Sequence, residues 1–213
     1  MPRHWSRRDM LRRGAALGAI TTIPAGVLAQ AARSEPYANF TATEAAVLEA
    51  VVARLIPSDA IGPGALEAGA ARYIDGALGT ALAAQRPAYV AGLAALDTYA
   101  RSAAGRSFVE LAPEQQDAVL TDLEQNRATG FSPTSAAFFE LVLGHTLEGT
   151  FGDPHYGGNR DFIGWELLGY PGLRLAVTAE QQRMNAALEP SFRSAYDSAM
   201  FDAHTTAGER HDD

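Results

Sequence analysis

The stretch TATEAAVLEAVVARLIPSD, residues 41–59, sets the fold class. Thr41 stands three residues before Glu44, the spacing of a capping box, in which the threonine hydroxyl takes the Glu44 backbone N–H and the carboxylate reaches back. Leu48, Val51, Val52, Leu55 and Ile56 then recur at i, i+3, i+4, i+7 and i+8, one apolar stripe along an α-helix. Pro57 follows, and a proline ring removes a helical hydrogen bond and clashes with the preceding turn, so the helix stops there.

The same periodicity extends outward. A second helix is predicted over 65–78, with Leu66, Ala70, Tyr73, Ile74 and Ala77 inward. Gly69 and Gly76 inside it cost about 1 kcal/mol each relative to alanine, and are read as small residues where helices pack closely. A third helix, 86–104, turns Tyr89, Leu93, Leu96 and Ala100 to one side and closes at Gly105. A fourth starts at Pro113, a favoured first-turn proline, and carries Val119, Leu120 and Leu123. Ser132-Pro133 reads as N-cap and first residue of a fifth, bearing Phe138, Phe139, Leu141, Val142 and His145. Beyond Gly172 the pattern allows a short strand over 173–177 and a helix over 179–188, then fades from Pro190. The expected fold is mainly α: a single helical domain over 41–190, preceded by a signal segment (1–31) and a linker (32–40) and followed by an extended tail (191–213).

Composition removes whole chemistries. All 17 basic residues are arginine and there is no cysteine. Without lysine there is no Schiff-base nucleophile or P-loop lysine; without cysteine there is no thiolate nucleophile, iron–sulfur ligand or covalent haem attachment. The net charge of −8 argues against nucleic acid, whose phosphates call for a basic patch. No G-x-S-x-G, G-x-G-x-x-G or Walker sequence occurs.

The first 31 residues carry an address. Residues 3–13, RHWSRRDMLRR, hold five arginines; residues 14–28 are uncharged and moderately apolar; Ala29-Gln30-Ala31 is a small-x-small site. That order is a secretory signal, with cleavage expected after Ala31. Ser6, Arg7, Arg8 and Leu11 resemble the twin-arginine motif S-R-R-x-F-L-K, with Met10 for Phe and Arg12 for Lys. That pathway exports folded proteins, so the expected location is the periplasm.

Into this helical chain is set GTFGDPHYGGNRDFIGWELLGYPG, residues 149–172, with seven glycines. Asp153, His155, Asn159, Arg160 and Asp161 form a polar cluster there, and loops of this kind commonly carry function. Gly157-Gly158-Asn159 reads as a turn at positive φ in preference to an anion nest. His145 and Glu148 stand as H-x-x-E, the reverse of the di-iron spacing, and His145 on an apolar helix face reads as a buried, hydrogen-bonded histidine. An autonomous periplasmic metal-binding protein or enzyme using His145, Asp153 and His155 is the alternative reading. His204 and His211 lie in a polar, solvated end.

Gly149 to Arg160, Gly164-Trp165 and Gly169-Tyr170-Pro171-Gly172 resemble the recurrent F-x-D-P-x-Y-G-G-N, G-W and G-Y-P-G of the gluconate 2-dehydrogenase subunit 3 family, small subunits of exported sugar and polyol dehydrogenases. The leader, LEAVVARLIPSD and LAPEQQDAVL extend the resemblance over most of residues 1–172. It implies a non-catalytic subunit with no cofactor of its own. Its partners would be an FAD-containing catalytic subunit of the glucose–methanol–choline oxidoreductase type and a multihaem cytochrome c (haem c) that holds the complex at the membrane. The small subunit would assist assembly and escort the flavoprotein through the twin-arginine translocase. The expected partner interface is Phe151, Asp153, Pro154, His155, Tyr156, Gly157, Gly158, Asn159, Trp165, Tyr170 and Pro171. For each ring, Phe162 included, the residues leave open whether it anchors a partner or completes the protein's own core, since aromatics serve both uses.

Overall fold

The computed structural model describes residues 36–198 except residue 187. The chain divides after Pro36; the signal segment, its cleavage site and the residues beyond 198 lie outside the described residues. Tyr37 onward folds into six α-helices, α1 (Ala42–Leu55), α2 (Ala70–Leu78), α3 (Arg86–Ala104), α4 (Pro113–Glu124), α5 (Ser135–Phe151) and α6 (Ile163–Leu168), with no strand among the described residues.

The N-terminal capping box forms as read. The Glu44 N–H donates to Thr41 Oγ1 at 3.3 Å and the Thr41 N–H to Glu44 Oε2 at 2.8 Å. Leu48, Val51 and Val52 are buried, while Leu55 and Ile56 pack partly buried at the edge of the same core. Residues 37–40, read as the end of a linker, are docked: Phe40 enters the core and the Ala38 and Asn39 N–H groups both donate to the buried Asp75 carboxylate of α2 at 2.8 Å. α4 begins at Pro113 and buries Val119, Leu120 and Leu123. Arg54 of α1 grips Asp117 of α4 in a two-bond fork at 2.7 and 2.6 Å.

α5 is the central helix and touches all five others. Its buried residues include Phe138, Val142, His145, Thr146 and Gly149, spread around the axis as befits a helix enclosed by neighbours. The Thr146 and Thr150 hydroxyls turn back to the Val142 and Thr146 carbonyls, each at 2.7 Å, so these buried groups carry no unmet hydrogen bond.

Four expectations are corrected. The predicted second helix is interrupted: residues 65–69 form a turn, and Gly69 takes a left-handed φ of 82° as the N-cap of α2. The close helix approach occurs elsewhere, because a Cβ on Gly76 would meet nothing within 4 Å, whereas one on Gly149 would sit 2.9 Å from the Ala70 Cα. α5 starts two residues after Pro133: Thr134 is the N-cap, its hydroxyl accepting the Ala137 N–H at 3.1 Å. Residues 173–177 form no strand and 179–185 only turns; a single parallel bridge, Gly172 to Ser191, replaces them. The apolar residues of that stretch, among them Leu175 and Val177, stay exposed and supply no face on which an element would fold.

Candidate partner interface

The glycine-rich segment leaves the end of α5 and folds back along it. The Gly152 N–H closes the helix on the Glu148 carbonyl at 2.8 Å, and Asp153 then caps a short 3₁₀ turn, Pro154–Tyr156. Gly157, at φ 90°, reverses the chain. A side chain at Gly158 would overlap the Gly149 carbonyl, and one at Gly164 the Thr150 carbonyl, so main chain lies directly on main chain. These two glycines bring the backbone of the segment onto α5.

Asn159 locks that contact. It is 0 % exposed, at φ 42°. Its N–H donates to the Gly149 carbonyl at 2.6 Å, its Nδ2 to the Gly152 carbonyl at 2.8 Å, and its Oδ1 accepts the Gly164 N–H at 2.8 Å. Asparagine supplies donor and acceptor on one short side chain and tolerates the left-handed region, which explains its place here. Asp161 and Phe162 share that region at φ 55° and 61°. Arg160 ties the segment to the 65–69 turn through its N–H to the Ala68 carbonyl (2.9 Å) and its guanidinium to the Glu67 carbonyl (2.6 Å).

The rings divide by use. Trp165 is 7 % exposed and donates its Nε1–H to the Phe151 carbonyl at 3.0 Å. Phe151 and Phe162 are half-buried, and Phe162 packs on Trp165. Trp165, Gly158 and Asn159 are buried in the protein's own fold, while Phe151 and Phe162 are part-buried at its edge. Tyr156 is 58 % and Tyr170 44 % exposed; His155 and Gly157 are exposed, and Pro154 and Pro171 half-buried. Leu168, 62 % exposed, stands beside Tyr170 in sequence.

Residues 191–197 lie across the segment, a contact that the sequence did not flag. The Asp153 carboxylate accepts from the Ser194 hydroxyl (2.6 Å), the Ala195 N–H (2.8 Å) and the His155 N–H (2.9 Å). Tyr196 stacks on His155 with ring centroids 3.7 Å apart, and its hydroxyl meets that of Tyr156 at 2.7 Å. Burial works to raise the Asp153 pKa, but the three donors outweigh it and hold the carboxyl below the usual carboxylate range. The spacing of Ser194 and Asp197 is that of a capping box, the one signal that would have marked an ordered turn here.

The metal alternative finds no geometry. His145 is buried in the core, its Nδ1 2.9 Å from the Tyr89 hydroxyl and its ring stacked on that tyrosine. Burial lowers the His145 pKa and, against it, Glu148 raises it; burial also raises that of Tyr89, so both favour their neutral forms, and the tautomer of the imidazole sets which of the two donates. Glu148 accepts the Tyr73 hydroxyl at 2.9 Å, and Tyr73, through burial and then this bond, is pushed up to about 12. With Asp153 and His155 engaged as described, no group of three His, Asp or Glu side chains is placed to hold a metal among the described residues. Ser6, Arg7, Arg8 and Leu11 lie outside them.

Neither a curated protein nor a solved structure matches the chain. The sequence model described as gluconate 2-dehydrogenase subunit 3 matches residues 42–172. The match opens on the first residue of α1 and closes on Gly172 at the end of the glycine-rich segment. It therefore takes in all six described α-helices and the Asn159 lock, more than half of the chain, and the protein belongs to the gluconate 2-dehydrogenase subunit 3 family.

Proposed function

We propose that this small subunit of a dehydrogenase complex is the non-catalytic partner of an FAD-containing sugar or alcohol dehydrogenase of the glucose–methanol–choline type. It assists assembly of that flavoprotein and escorts it through the twin-arginine translocase to the periplasm. There a multihaem cytochrome c completes the complex at the outer side of the inner membrane.

The observation that carries the reading is the apolar surface around the glycine-rich segment. Tyr156, Leu168, Tyr170, Leu175 and Val177 are all exposed large apolar residues, and four of the five fall within ten residues of sequence. Large apolar side chains left exposed in one stretch of chain are material for an interaction site, and tyrosines are favoured anchors because they bury much area for little entropy. The leader supports the escort role, since Arg7-Arg8 directs folded cargo.

Affinity purification of the chain from its own periplasm tests the reading. The expected result is a flavoprotein recovered in equal amount, with FAD in the partner and dehydrogenase activity only in the complex. Recovery of the chain alone, or turnover of alcohols by the chain alone, would overturn it.

A further inference from the structure

We propose that residues 191–197 are a placeholder strap, which covers the Asp153–Tyr156 turn in the free subunit and is displaced by the catalytic subunit on assembly. The proposal deepens the reading above and rests on it.

Three observations carry it. First, the surface and the strap differ in their relation to the family. The turn beneath lies inside the matched residues 42–172, and the strap lies beyond them. What this chain shares with its family is therefore the surface under the strap.

Second, the two are held in different ways. The segment is fixed to α5 by the buried Asn159 and by Gly158 and Gly164 packed directly on main chain. The strap is tied at Ser191, whose carbonyl lies against Gly172, and at the buried Ser194, with exposed rings around these two points. Its contacts include the Ser194 and Ala195 bonds to Asp153, the Tyr156–Tyr196 hydroxyl pair at 2.7 Å, the His155–Tyr196 stack, the Phe162–Phe192 ring pair and the Ser191 N–H to the Pro171 carbonyl at 2.9 Å. His155, Tyr156 and Tyr196 are all exposed, so their stack and hydroxyl pair add little net stability, and the part-buried bonds of Ser194 and Ala195 to Asp153 stand against the conformational entropy that ordering the strap costs. Such a contact opens without unfolding the domain beneath it.

Third, what the strap covers suits a protein segment. Lifting it bares an imidazole and a phenol ring beside a carboxylate, with Phe162 freed from Phe192, whose ring centroid lies 5.5 Å away. The matching chemistry is an extended stretch of the flavoprotein that offers one hydroxyl or N–H pair to Asp153 and one ring to His155. The strap is a copy of that chemistry in the subunit's own chain.

Hydrogen exchange on the full chain, free and bound to its flavoprotein, tests this. In the free subunit the Ala195 and Tyr196 amides, which donate to Asp153 and Ser194, are expected to be protected. In the complex they are expected to exchange at least about tenfold faster, while the Asn159 amide is unchanged. In parallel, the double variant Ser194→Ala/Tyr196→Ala is expected to bind the flavoprotein about fivefold more tightly, because no strap has to be lifted first. Equal or greater protection of Ala195 and Tyr196 in the complex, or weaker binding by the variant, would show that the strap belongs to the interface and would overturn the proposal alone. Failure of the wild-type chain to bind any flavoprotein would overturn the assembly reading together with it.

Discussion

Asn159 holds the segment at a single point. Replacing it by alanine removes the donor to the part-buried Gly152 carbonyl and the acceptor of the buried Gly164 N–H. An orphaned buried group costs about 1–3 kcal/mol, so Asn159→Ala is expected to lower unfolding free energy by about 3 kcal/mol in urea titrations. A loss below about 0.5 kcal/mol would mean that water replaces both partners. His145 gives a pH signature. Its ordinary pKa of 6.5 is lowered in the fold by burial, so the unfolded chain takes up a proton before the folded chain does. The stability that neutral His145 contributes is complete above 6.5 and is lost as pH falls below that value. The melting temperature is expected to fall between about pH 6.5 and 5, and His145→Gln to flatten that fall; an unchanged slope in the variant would place the titrating group elsewhere.

At the scale of the element, glycines of the same type play opposite parts. Gly76 lies exposed within α2 with open space at its Cβ position, so Gly76→Ala is expected to stabilise by about 0.5–1 kcal/mol through helix propensity. Gly164→Ala would drive a methyl into the Thr150 carbonyl and is expected to cost about 3 kcal/mol or to displace α6. Thermal melts of the two variants check both signs. Sequence could not separate these cases, because the difference lies in what approaches from another part of the chain. It served well where the cause is local: the Thr41 capping box, Pro113 at the start of α4 and Gly105 at the end of α3 are each decided within a few residues. It misjudged Gly69, where a helical pattern of apolar residues concealed a left-handed turn, and the stretch 173–188, where apolar residues have no core to face. The candidate site was legible as a segment but not residue by residue. Trp165 and Asn159 turn inward while Tyr156 and Tyr170 stay outward, a division set by the path of the chain over α5.

The described residues from Tyr37 onward form a helical body built around α5, with a glycine-rich segment packed on it and exposed apolar residues in and just after that segment. No described helix is long and apolar enough to cross a membrane. On the proposed reading the subunit acts through what it binds, and its leader carries a flavoprotein that is exported only if the complex forms first. The direct measurement is cell fractionation of a strain in which Arg7 and Arg8 are both changed to lysine, scored for the flavoprotein subunit, its bound FAD and its dehydrogenase activity. The account predicts that at least about nine-tenths of the flavoprotein stays in the cytoplasm, a shift of at least tenfold in its distribution. Flavoprotein that reaches the periplasm in normal amount, loaded with FAD and active, would contradict it.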